Sequence, residues 1–157
     1  MEWGLAIGLF AAAIAAILPG MGSAKAVGLA GETAAGVSAE TPEASSKLTL
    51  LQLLRATQGI YGFVIAIVIM AKIGTMGGSG AVVPVDKALM LLAAALPIAL
   101  VGYFSAIAQG KCAAGSMLMV GRRPEMQGKG MMMTAMVETY AVLALLISFL
   151  CVNAIVL

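Results

Sequence analysis

The sequence contains no histidine, and charged residues fill only 10% of its 157 positions. A Ser/His/Asp set is therefore impossible, and neither a CxxC pair nor a GxxxxGK phosphate loop is present, so soluble catalysis has no visible machinery. Seven acidic and nine basic side chains give a net charge of +2, with no basic run interleaved with aromatics, so nothing points to nucleic acid. The two cysteines, Cys112 and Cys151, stand 39 positions apart inside apolar segments. They read as small packing residues, not as a disulfide or metal ligands.

What the chain has in quantity is apolar surface: 62% of residues are hydrophobic, with a mean hydropathy of +1.06. A soluble domain of this size cannot bury so much. The solvent is lipid, and four segments, 4–36, 47–72, 87–120 and 129–157, are long enough to cross a hydrocarbon core that takes about 20 helical residues. The alternation of a barrel strand is missing, so the spans are helices. The first begins with Glu2 where a secretory signal needs basic residues, and is expected to be retained.

The chain repeats itself at an offset of 82: GSAKAVG (22–28) falls on FSAIAQG (104–110), Thr41-Pro42-Glu43 on Arg123-Pro124-Glu125, and Lys47 on Lys129. The reading is two parallel copies of a helical hairpin, 1–75 and 83–157, joined by a Gly-rich loop within 71–87. The first helix of each copy carries small residues on two faces. Gly20, Ala24 and Gly28 lie on one and Gly22, Ala26, Ala30 and Ala34 on the other; in the second copy these are Gly102, Ala106, Gly110 and Ala114, then Ala108, Cys112 and Ser116. Small stripes let helix backbones approach closely in lipid. With bulky partner helices outside and two unlike faces inside, contacts between copies are heterologous, and such contacts close into a homo-oligomeric ring when the rotation permits; the alternative is an ordinary four-helix membrane bundle, and the duplication favours the ring. Loops 37–47 and 121–129 hold Lys47, Arg122, Arg123 and Lys129, which places them in the cytoplasm and both termini outside. A cell membrane is the expected location.

Glu138 lies nine residues beyond Lys129, or about 13 Å along a helix, close to mid-membrane. A carboxylate there costs several kcal/mol unless it is protonated, paired or bound to a cation. A permanent pair with Arg55 is one reading. The other is a cation site, since Thr57, Gln58 and Gln109 stand at similar depth on two other helices, and hard cations take oxygen ligands. Lys25 and Glu32, seven apart on one face, are expected to partner each other; Lys111 is also helical. The Met cluster at 131–133 and 136 reads as adaptable packing. Tyr140 is set two positions from Glu138, on the opposite side of the helix, and is not assigned to the site.

GSAKAVG, LLRATQGIYGF, SAIAQGK, RRPE and MVETYA resemble the corresponding stretches of the sixteen-kilodalton-type proteolipid, the K or c subunit of V-type and A-type rotary ATPases. The resemblance implies a ring of identical subunits that turns in the membrane against a stator subunit bearing a basic residue. A central-stalk subunit would meet the cytoplasmic hairpin loops. The ring carries ions without hydrolysing ATP and needs no cofactor. In the sodium-translocating members' pattern, Glu138 is similar to the essential carboxylate, and Thr57, Gln58 and Gln109 match side-chain ligands. Leu54 matches a backbone-carbonyl ligand, and Tyr61 the tyrosine that holds the carboxylate. The implied cargo is Na⁺, alternatively H⁺. Two readings from other classes stay open: a small multidrug transporter with an intramembrane glutamate, and a channel-forming or structural ring in which Glu138 is dispensable.

Overall fold

The computed structural model describes residues 3–53, 56–77 and 82–157. Helix α1 spans Trp3–Glu40, a single 3₁₀ turn Pro42–Ala44, α2 Ser45–Leu53, α3 Thr57–Lys72, α4 Val85–Arg122, a second 3₁₀ turn Pro124–Met126, and α5 Gln127–Ala154. The described residues form no strand. Four stretches are long and apolar enough to cross a membrane: Trp3–Glu40, Pro42–Lys72, Val85–Arg122 and Pro124–Ala154. The protein is an all-helical, multi-pass membrane protein. The second expected span is described as two pieces, α2 and α3; the Leu54 carbonyl and the Arg55 side chain between them lie outside the described residues.

The repeat extends to element boundaries. Helix α4 starts and ends 82 residues after α1, the 3₁₀ turns share that offset, α5 begins 82 residues after α2, and it ends 82 residues after α3. Backbone angles repeat too: Thr41 has φ −131° and ψ 78°, and Arg123 has −141° and 86°.

Helices α1 and α4 pack against each other through small residues, with α3 and α5 outside them. A Cβ on Gly22 would stand 2.7 Å from the Tyr103 carbonyl oxygen, and one on Gly110 2.7 Å from the Ala26 Cα, so neither position accepts a larger side chain without separating the helices. The two helices do not use the same face. Gly22, Ala26, Ala30 and Ala34 are buried in α1, whereas Gly102, Ala106 and Gly110 are buried in α4. On α1 the other face is free, with Ala24 and Gly28 exposed.

Prolines inside both inner helices shape the packing. Pro19 removes the N–H that the Ala15 carbonyl would have received, and Gly62 of α3 presses its backbone against that oxygen. A side chain at position 62 would collide there and with the Pro19 ring. In α4, next to Pro97, the Ile98 N–H is taken by the Ser148 hydroxyl at 3.1 Å. Between the hairpin turns, the Lys47 ammonium donates to the Pro124 carbonyl at 3.2 Å, which ties both turns into one polar end.

Candidate ion-binding site

Three helices deliver the polar groups. Thr57, Gln58 and Tyr61 occupy the first turns of α3, Gln109 lies in α4, and Glu138 sits near the middle of the apolar stretch Pro124–Ala154. Backbone-to-hydroxyl bonds fix their depth. Gly59 donates its N–H to Ser23 Oγ at 2.9 Å, which anchors the start of α3 on α1, where helical N–H groups lack intrahelical acceptors. Ser105, the repeat mate of Ser23, donates to the Val137 carbonyl at 3.1 Å and so fixes α5 on α4 beside Glu138.

Within this frame, the Tyr61 hydroxyl donates to Glu138 Oε1 at 2.6 Å. Gln109 Nε2 donates to the Thr134 carbonyl at 3.2 Å and reaches Glu138 Oε2 at 3.5 Å. Gln58 Nε2 donates to Gln109 Oε1 at 2.7 Å. The Thr57 hydroxyl stands 3.5 Å from Gln58 Oε1. Gln58 and Gln109 are both 0% exposed, so these amides survive in an apolar bundle because each is engaged by the other and by its neighbours. Glu138 is only half-buried. It opens on a groove of about 540 Å³ lined by Tyr61, Ala135, Glu138, Thr139, Val142 and Leu143, between α3 and α5 on the side away from the inner helices.

Glu138, Gln109, Gln58, Thr57 and Tyr61 thus form one connected cluster. The Thr134 carbonyl and the two serines were not read from the sequence. Ser23 and Ser105 did carry a signal, since they coincide in the repeat; the carbonyl had none. Lys25 differs from expectation. Its ammonium donates to the Tyr103 hydroxyl at 3.2 Å and lies 5.6 Å from that ring's centroid, instead of partnering Glu32. Two helical turns carry Glu32 about 10 Å away along the axis, while Tyr103 is alongside on α4.

Chemically, the cluster presents hydroxyl, amide and carboxylate oxygens, the donor set of a hard cation. Among the described residues no group of three His, Cys, Asp or Glu could hold a metal ion. Glu138 is the cluster's one formal charge.

Fold and site together define a membrane-embedded, duplicated helical hairpin with a carboxylate, Glu138, near the middle of its last apolar span. The chain belongs to the ATP synthase C-subunit family, whose model matches it twice, over residues 10–69 and 92–151. The two matches are themselves offset by 82. The chain is similar to the V-type sodium ATPase subunit K of Enterococcus hirae, with 46% identity over 149 residues that cover 95% of this chain and 92% of that protein. It is also similar to the A-type ATP synthase subunit K of Methanocaldococcus jannaschii, with 35% identity over 142 residues, 90% of this chain and 61% of that protein.

Proposed function

We propose that this chain is the membrane rotor subunit of a V-type ATPase and that it carries Na⁺ at Glu138. The observation that carries the reading is one carboxylate among neutral oxygens. A monovalent cation bound there leaves the site neutral, which lets it face lipid. A divalent ion would leave a net positive charge in hydrocarbon, at a cost of several kcal/mol. Thr57 Oγ1 and Gln58 Oε1, 3.5 Å apart, are far for a hydrogen bond. They suit two ligands at right angles on one ion, which at bonds of about 2.4 Å stand about 3.4 Å apart. Gln109 Oε1 and the Leu54 carbonyl complete the set, and Tyr61 holds the carboxylate in place. The relative from Enterococcus hirae is a sodium ATPase subunit by name, which agrees with Na⁺ over H⁺.

The first hairpin, 1–75, has Ala56 where the second, 83–157, has Glu138, so there is one ion per subunit. Fewer ions per turn let each ATP drive an ion against a steeper gradient, each charge costing about 2.3 kcal/mol per 100 mV. Subunits associate through the small face left free on α1, at Ala24 and Gly28, against the exposed Ala108 of α4. The contact is heterologous and closes into a ring. A basic residue of a stator partner competes for Glu138 when rotation brings the site to it, and the ion leaves by an exit path. The paired turns, held by Lys47 and Pro124, meet the central stalk on the cytoplasmic side, with both termini outside. ATP is hydrolysed in other subunits.

Two measurements test the ion and its ligands. A hydrophobic carbodiimide should label Glu138 in the intact ring, and Na⁺ at millimolar concentration should slow that labelling. Labelling unchanged by high Na⁺ at neutral pH would assign the site to protons. Tyr61→Phe removes the donor at 2.6 Å while keeping the ring's packing. The Na⁺ concentration that gives half-protection should rise about tenfold, or ~1.4 kcal/mol, the low end for a hydrogen bond to a charged group. An unchanged midpoint would remove Tyr61 from the site.

A further inference from the structure

The repeat that relates α1 to α4 also maps the ion site onto the surface where one subunit would meet the next. In the chain, the second hairpin supplies Gln109, Thr134, Ala135 and Glu138, and the first closes this half-site with Thr57, Gln58 and Tyr61. Shifted by 82, the half-site becomes Val27, Gln52, Leu53 and Ala56, and these four residues line an open pocket of about 410 Å³ on the outside of the first hairpin. The closing group becomes Thr139, Tyr140 and Leu143 of α5, which all face outward; Tyr140 is 66% and Leu143 59% exposed. In contrast, Gln58, the repeat mate of Tyr140, is fully buried.

We propose that Tyr140 of one subunit seats in the Val27–Gln52–Leu53–Ala56 pocket of its neighbour, so that the degenerate copy of the ion site becomes the lock between subunits. This rests on the ring reading. The chemistry of the substitutions is concerted. Where the ion site has a buried Gln pair and an acid, its counterpart has Val27, Ala56 and a tyrosine, so the polar cage is replaced by an apolar recess and an aromatic anchor that fills it. The aromatic ring supplies large contact area at low entropic cost, and its hydroxyl needs a partner once buried. The Gln52 amide, at the position of Thr134, lines the recess together with Ser46 and Thr49 and is a polar partner within it. The contact continues the free face of α1, where Ala24 and Gly28 lie open. A second copy of this chain is therefore the occupant, not a lipid chain.

The test uses the full chain with Cys112→Ala and Cys151→Ala, adding Val27→Cys and Tyr140→Cys, which correspond to Gln109 and Gln58, whose amide heads are 2.7 Å apart. A short bifunctional thiol-reactive reagent, a bis-maleimide, should give a ladder of covalent oligomers on denaturing gels. Val27→Cys with Leu146→Cys should give none, because Leu146 and its repeat mate Val64 are both exposed to lipid. In the otherwise unaltered chain, Tyr140→Ala should lower the temperature at which the oligomer dissociates, with Tyr140→Phe close to the parent. An intact ring with no 27–140 ladder, with equal ladders from both pairs, or with unchanged dissociation in Tyr140→Ala overturns the lock and leaves the ring standing. A parent chain that purifies only as a monomer overturns the ring and the lock with it.

Discussion

Replacing Glu138 by Gln is expected to reduce ATP-driven Na⁺ transport to background while the ring still assembles. Gln has nearly the same volume, and its amide oxygen accepts the Tyr61 hydroxyl that now reaches Glu138 Oε1, so the local packing survives. What disappears is the charge. A cation in the neutral cage would carry an uncompensated charge at mid-membrane, about 3 kcal/mol on insertion scales, and that alone lowers occupancy by about two decades. The first hairpin argues that assembly is spared, because Ala56 stands at the equivalent position without a carboxylate and the hairpin still spans the same overall register, its outer stretch beginning at Ser45 and ending at Lys72 as α5 begins and ends 82 residues later. The measurement is ²²Na⁺ uptake by vesicles holding the assembled ATPase, alongside the mass of the solubilised ring. Uptake at the parental rate would exclude Glu138 as the carrier. Loss of both uptake and oligomer would make the carboxylate structural.

The polar cluster was largely legible because lipid makes polarity conspicuous. Gln58, Gln109 and Glu138 stand out in largely apolar segments, and burying them unpartnered would be costly, so their meeting in one cluster was to be expected. The hairpin repeat was legible for a related reason: close helix packing demands small residues at fixed spacing, and the demand recurs in both copies. Less visible was how the groups engage. That Gln58 and Gln109 bond directly and that Gln109 also reaches the Thr134 carbonyl depend on helix rotation, which spacing constrains only to about a face. Lys25 shows the limit. Its reading as the partner of Glu32 used one helix alone, and the structure answers with Tyr103 from the next. Which small face each inner helix buries was equally undetermined, because both faces of α1 are made of Gly and Ala.

That last ambiguity yields a prediction of similar size. A Cβ at Gly28 would meet nothing within 4 Å, whereas one at its repeat mate Gly110 would stand 2.7 Å from the Ala26 Cα. Within the isolated subunit, then, a side chain at Gly28 has room, and replacing a mid-helix glycine favours the helix by about 0.5–1 kcal/mol. In the ring, the shift by 82 sets Gly28 against Ala108 of the neighbouring subunit at the same close approach that Gly110 makes to Ala26. Gly28→Leu is therefore expected to leave the helical content of the solubilised chain unchanged or slightly raised while abolishing the oligomer. Gly36→Leu serves as the control. Gly36 is equally open, but its repeat mate is already a leucine, Leu118, 55% exposed, so the larger side chain is expected to be tolerated and the ring kept. Circular dichroism and native mass measurement of both variants decide the matter. If Gly28→Leu forms rings of parental mass, the free face of α1 is not where subunits meet. If both variants lose the oligomer, the inner wall is intolerant of bulk as a whole, and the contact registered by the repeat has no special claim.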